Sequence, residues 1–131
     1  MAKSGVENFK LLCISKGKLP SLPFERMKNA VLGKNYILEV AFIKGSWMRA
    51  LNKKYRNKNE VTDILSFPLF KNEGQIVICI SAARTEAKKF DRNLENFIAF
   101  LFIHGLAHLK GLTHGSRMEA LERKYRTKFG V

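Results

Sequence analysis

The sequence predicts one mixed α/β domain of the α+β kind spanning residues 1–131, with a mixed sheet of about four strands and about five helices packed on it. Three observations predict it. Short apolar runs of strand length alternate with segments of helical period, in the order β-α-β-α-β-β-α-α-α. No repeat, low-complexity tract or shift of composition marks a linker. A chain of 131 residues, 46% apolar and 27% charged, has the mass for one core and the balance of a globular protein, which excludes disordered and fibrous classes.

The elements follow in order. Phe9 to Ser15 is an apolar run and reads as the first strand, and Lys16 to Lys18 as a basic, glycine-containing turn. Ser21 is expected to cap a helix with Pro23 in its first turn, running to about Leu32, with Gly33 closing it. Tyr36 to Ile43 carries the β-forming bulk of a second strand. Ser46 is expected to cap a short helix whose apolar stripe is Trp47, Leu51 and Tyr55. After the polar loop Asn57 to Asp63, the runs Ile64–Phe70 and Gln75–Ile80 flank Lys71-Asn72-Glu73-Gly74, which has hairpin character. Ser81 or Ala82 opens a helix to about Phe90. Asn93 to Lys110 is the longest periodic segment and reads as a central helix, and Arg117 to Phe129 as a charged last one.

Cys13 and Cys79 lie inside apolar runs and read as buried, reduced thiols, not as a disulfide framework. Met1 to Lys10 lacks the apolar core of a signal peptide. No apolar run approaches the roughly 20 residues of a membrane span, so the cytoplasm is the expected compartment.

Charge narrows the partners. Twenty-four Lys and Arg against eleven Asp and Glu leave a formal net charge of +13. Such an excess attracts polyanions, which favours nucleic acid or a ribonucleoprotein over simple solubility. A membrane surface fits less well, since no basic amphipathic helix stands out.

The chain has three histidines, all in the window His104-Gly105-Leu106-Ala107-His108-Leu109-Lys110-Gly111-Leu112-Thr113-His114. His104 and His108, four apart on a helix, share a face and can reach one ion. Gly111 supplies the break that lets the chain turn and return His114 to the same point. Three neutral imidazoles with an open fourth position make a catalytic site for zinc, or another divalent transition metal, one ion per chain. The ligand spacing is that of HExxHxxGxxH metalloproteases, but Gly105 stands where those enzymes carry the general-base glutamate. That departure argues against peptide hydrolysis. RNA brings its own nucleophile, and a Lewis acid can polarise its phosphate directly.

A second stretch runs from Leu51 to Pro68. Arg56 closes the helix and can grip phosphate in a bidentate manner, while Lys53, Lys54 and Lys58 add a positive collar that could contact RNA or merely be a solvated face. Thr62 and Asp63 read as turning the loop into the next strand. Ser66 can line an adjoining cleft, but no base activates it as a nucleophile.

Together, LNxxYRxKxxxTDxLSFP (with Asn57 between Arg56 and Lys58) and the downstream HGxxHLxGxxHG closely resemble the YbeY family of bacterial zinc-dependent endoribonucleases, over roughly Ala41 to Met118. The resemblance implies single-strand-specific RNA cleavage, maturation of ribosomal RNA at the 3′ end of small-subunit 16S RNA, and ribosome quality control, with the ribosome or its proteins as partners. It implies His104, His108 and His114 as metal ligands, and Arg56 as a functional residue beside them. His114 and Arg56 are thus the catalytic candidates. Two positions depart from the family pattern: Thr113 stands where Asp precedes the third histidine, and Gln75 where Asp follows the strand-opening Gly74. The rival reading is a non-catalytic, zinc-stabilised RNA-binding assembly factor.

Overall fold

The computed structural model describes residues 8–14 and 18–131; Lys16 and Gly17 of the expected basic turn lie outside them, as does Ser15. The elements occur in the predicted order: β1 (Phe9–Cys13), α1 (Phe24–Leu32), β2 (Ile37–Phe42), α2 (Gly45–Arg56), β3 (Ile64–Phe70), β4 (Glu73–Ile78), α3 (Ile80–Lys89), α4 (Leu94–Leu109) and α5 (Ser116–Phe129). The sheet is mixed, in the order β1-β2-β4-β3. β1, β2 and β4 run parallel, and β3 pairs antiparallel with β4 through the hairpin. Among the described residues no helix is long and apolar enough to cross a membrane.

Alternation along the strands sorts the two faces, because successive side chains point to opposite sides. Leu38, Val40 and Phe42 of β2 and Ile76 and Ile78 of β4 face a core shared with Phe24, Met27 and Val31 of α1 and Ile98, Phe102 and Leu106 of α4. Leu65 of β3 and Val77 of β4 point the other way, onto Met48 of α2, with Ile43 and Cys79. Helix α4 is apolar nearly all round and is enclosed by α1, α3, α5 and β3, as a helix without a polar face must be.

Several local expectations are corrected. Pro23, not Ser21, occupies the N-cap of α1, with no side-chain cap. Helix α2 begins at Gly45 behind Lys44, so Ser46 lies within its first turn. Its buried residues are Met48 and Asn52, whereas Trp47 and Tyr55 are 47% and 58% exposed. The Met48–Asn52 stripe has the same helical period as the Trp47–Leu51–Tyr55 one, but the polar amide hides it from a hydrophobicity reading. Asn52 Nδ2 donates to the Glu60 carbonyl at 3.0 Å and so ties the helix to the following loop. β4 starts at Glu73, because that residue already pairs with Ile37 and Phe70. Helix α3 opens at Ile80 with Cys79 as its N-cap. Cys79 is buried as expected, but Cys13 is exposed, since it ends a strand at the sheet's edge.

Gly74 shows how tightly α4 seats on this sheet. A Cβ there would lie 2.5 Å from Tyr36 Oη, 2.9 Å from Leu109 Cδ2 and 3.1 Å from the Phe67 carbonyl oxygen. Gly74→Ala is expected to lower stability by about 1–3 kcal/mol through overpacking, read as a drop in thermal midpoint. A midpoint equal to that of the unchanged protein would contradict the close approach.

Candidate functional site

Helix α4 carries the first two histidines. Its start is fixed by Asn93, whose side-chain oxygen accepts from the Asn96 backbone N–H at 2.8 Å. Its end is a Schellman turn: Gly111, at φ +97°, donates to His108 at 2.9 Å, and Leu112 donates to Ala107 at 3.2 Å. That turn reverses the chain toward His114, as the glycine predicts.

His104 and His108 point at one another, Nε2 to Nε2 at 3.1 Å. Two nitrogens on one tetrahedral zinc stand about 3.3 Å apart, given bonds of about 2.0–2.1 Å. The His114 ring centroid is 6.0 Å from that of His104 and 5.8 Å from that of His108. Among the described residues no three His, Cys, Asp or Glu side chains already form a metal-holding group. The first two imidazoles have the spacing of paired ligands, and His114 would complete the set by swinging inward.

The outer nitrogens explain why the inner ones are available. His104 Nδ1 is 3.2 Å from Glu122 Oε2, on a carboxylate that α5 buries and Arg126 approaches at 3.5 Å. A proton on Nδ1 satisfies that carboxylate and leaves the Nε2 lone pair facing inward, the arrangement typical of metal-ligating histidines. His108 has a hydrogen bond to the Leu112 backbone. Its pKa is lowered from the usual histidine value by burial first, then by His104 and His114, so the neutral, ligating form is favoured. Two inward lone pairs at this distance repel unless a cation or a proton lies between them, so the donor set fits a metal. Glu122 was not legible in the sequence: an acid on a charged helix, far along the chain from His104, reads as solvated.

The histidines open onto a cleft of about 920 Å³ between α4 and β3. Arg56, the last residue of α2, forms part of its wall, as do Asp63, Ser66, Glu86, Thr113 and all three histidines. The helix ends there because Asn57 adopts the left-handed conformation at φ 56°, which asparagine tolerates. Lys53, Lys54 and Lys58 are exposed but are not part of the wall. Asp63, read from sequence as a turn former, is a wall residue whose pKa is raised by burial and then by Glu86; hydrogen bonds from its own backbone and that of Ile64 oppose the rise.

Residues 22–130 match the family model described as Endoribonuclease YbeY. The chain belongs to this family. A Mycoplasmopsis synoviae protein named Endoribonuclease YbeY is 32% identical over 92% of this chain and 90% of its own length. One of the same name from Helicobacter pylori is 40% identical over 71% of this chain and 69% of its own. For two further relatives the match takes in 61% and 57% of their lengths. A Thermotoga maritima protein solved in solution shares the fold, with a TM-score of 0.67 at 23% identity over 89% of this chain and 85% of that one.

The two departures from the YbeY pattern fall in different places. Thr113 lines the cleft. Gln75 instead lies on β4 opposite Glu39 of β2, and its amide donates to that carboxylate at 2.5 Å. An aspartate there would set two carboxylates side by side, so Gln75 pairs better with Glu39 and leaves the site untouched.

Gly105 follows the first histidine on the face of α4 that meets the sheet. A Cβ there would lie 3.0 Å from Ser66 Oγ and 3.1 Å from the Cδ1 atoms of Ile64 and Ile76. A glutamate would press on β3 and β4 and displace Ser66 and Ile64, which themselves line the cleft; this gives a physical reason for its absence. Gly105→Glu is expected to unfold the protein or cost more than about 3 kcal/mol, and to confer no peptidase activity. A stable, folded Gly105→Glu protein in a chemical denaturation series would overturn this packing.

Proposed function

We propose that this chain is a zinc-dependent, single-strand-specific endoribonuclease that acts in the cytoplasm on ribosomal RNA. Its role would be maturation of the 3′ end of the small-subunit RNA and ribosome quality control. The observation that carries the proposal is that Arg56 and all three histidines, remote in sequence, line one cleft. Membership of the Endoribonuclease YbeY family supports it, as does the net charge of +13, which favours a polyanionic substrate.

His104, His108 and His114 would hold the metal. When bound, zinc would supply a Lewis acid able to polarise a phosphate oxygen or activate a water. Glu122 keeps the His104 ring in the orientation that presents Nε2. Arg56 can place two parallel N–H donors on the scissile phosphate and offset the charge that builds on its oxygens as the nucleophile arrives in line. Asp63 offers a carboxyl that takes up a proton more readily than an ordinary aspartate, as a group that moves protons in the cleft would need to.

Two experiments test the reading. Metal analysis beside a single-stranded RNA cleavage assay should show that His114→Ala lowers zinc stoichiometry, whereas Arg56→Glu keeps the zinc and loses roughly 10²–10³-fold in cleavage. Full cleavage by Arg56→Glu would sink the assignment. Folded holoprotein that binds RNA without ever cutting it would favour a zinc-stabilised binding factor instead. Glu122→Gln should weaken zinc affinity by roughly 10–100-fold, measured by competition with a chromogenic chelator. An unchanged affinity would remove Glu122 from the site.

A further inference from the structure

The cleft continues past the histidines to the turn between α3 and α4, and its chemistry changes there. Phe90, Phe97 and Phe100 all line that end. Phe90 stacks on Phe97 at 5.3 Å and 27°, and Phe97 on Phe100 at 5.8 Å and 19°. Phe90 also lies 5.9 Å from Phe100 at 39°; Phe97 is buried, but Phe90 is 52% exposed, so one member of the ring cluster is half-uncovered in the cleft. A scattered surface phenylalanine would need no explanation. This one is backed by other rings and held by a rigid turn. Asp91 adopts the left-handed conformation at φ 53°, and Phe90 and Arg92 both donate to the Ala87 carbonyl, at 3.2 and 3.0 Å.

Two guanidinium groups lie against Phe100, behind the wall of the cleft and not in it, and that of Arg126 is also paired with Glu122 at 3.5 Å. The Arg92 guanidinium carbon lies 4.5 Å from the Phe100 centroid and that of Arg126 lies 5.6 Å from it. Arg92 is further fixed by donating to Asn96 Oδ1. Glu86, the acid in this part of the wall, is already paired with Lys89 at 2.8 Å. A half-exposed aromatic ring close to the anchored Arg92 guanidinium suits a nucleotide: a π-surface for the base and positive charge within reach of its phosphate. A base inside a duplex has no free face to offer, so such a shelf selects single strands.

We propose that Phe90 and Arg92 form a base-stacking subsite that grips one unpaired nucleotide of the RNA, where the cleft meets the turn between α3 and α4. The subsite rests on the nuclease reading for its substrate class, and on its own rings for the mode of binding.

The test uses single-stranded RNA carrying 2-aminopurine, with its backbone 2′-O-methylated against cleavage and its integrity checked on a gel. With zinc-loaded protein, stacking should quench the fluorophore. Phe90→Ala should abolish the quenching and weaken binding about tenfold, within the range for loss of one base–aromatic stack. Phe90→Tyr should restore both. An abasic nucleotide should weaken binding to the unchanged protein but not to Phe90→Ala. If Phe90→Ala fails to fold in a thermal melt, Phe90→Leu takes its place. Unchanged affinity and quenching in these variants would overturn the subsite. Cleavage of unmodified RNA, followed in parallel, separates the two claims. Cleavage with Phe90-independent binding defeats the subsite alone, and Phe90-dependent binding without cleavage defeats the nuclease reading alone.

Discussion

The site depends on how closely α4 lies against β3 and β4 at Gly105. With hydrogen in place of a side chain there, Ser66, Ile64 and Ile76 come up to the helix backbone. Residues on either side of Gly105 are thereby fixed in rotation about the helix axis. His104 and His108, on the adjoining face, cannot turn into the core or out to solvent without lifting the helix off the sheet. The same contact sets the depth of the cleft, because β3 supplies one wall and α4 the other. Gly74 does the equivalent work one turn further on, under Leu109. Two glycines thus hold one helix, and the helix holds the histidines.

Much of this was legible in the sequence because it is local. The histidine spacing and the breaker at Gly111 act within a few residues, so spacing rules reach them. β-forming bulk marks β2, and a short apolar run marks most of β4, for the same reason. The stripe on α2 was misread because Asn52 is buried through a hydrogen bond to Glu60, and apolar period alone does not see a satisfied amide. Gly105 was read chemically, as the loss of a base, when its main constraint is steric and set by strands distant in the chain. Glu122, Asp63 and the ring set of Phe90, Phe97 and Phe100 were missed for a shared reason. Each acquires its role from a partner on another element, and nothing in its own neighbourhood marks it.

The charge distribution joins these features. A chain with 24 basic and 11 acidic residues has few carboxylates to spare, yet Asp63 and Glu86 line the cleft and Glu122 stands behind His104. Asp63 and Glu86 repel each other, which helps raise the Asp63 pKa. Lys89 offsets Glu86 and Arg56 shares the wall, but charges elsewhere on the surface, screened over about 10 Å in ordinary salt, add little at that spot. A divalent cation on the histidines reverses the sign locally: the carboxylates then favour the cation, and the cation favours the phosphate. Under the proposed function the basic surface and the acidic centre would act as one device, in which distant lysines and arginines would gather the strand and the proposed metal would complete the charge balance where the bond would break.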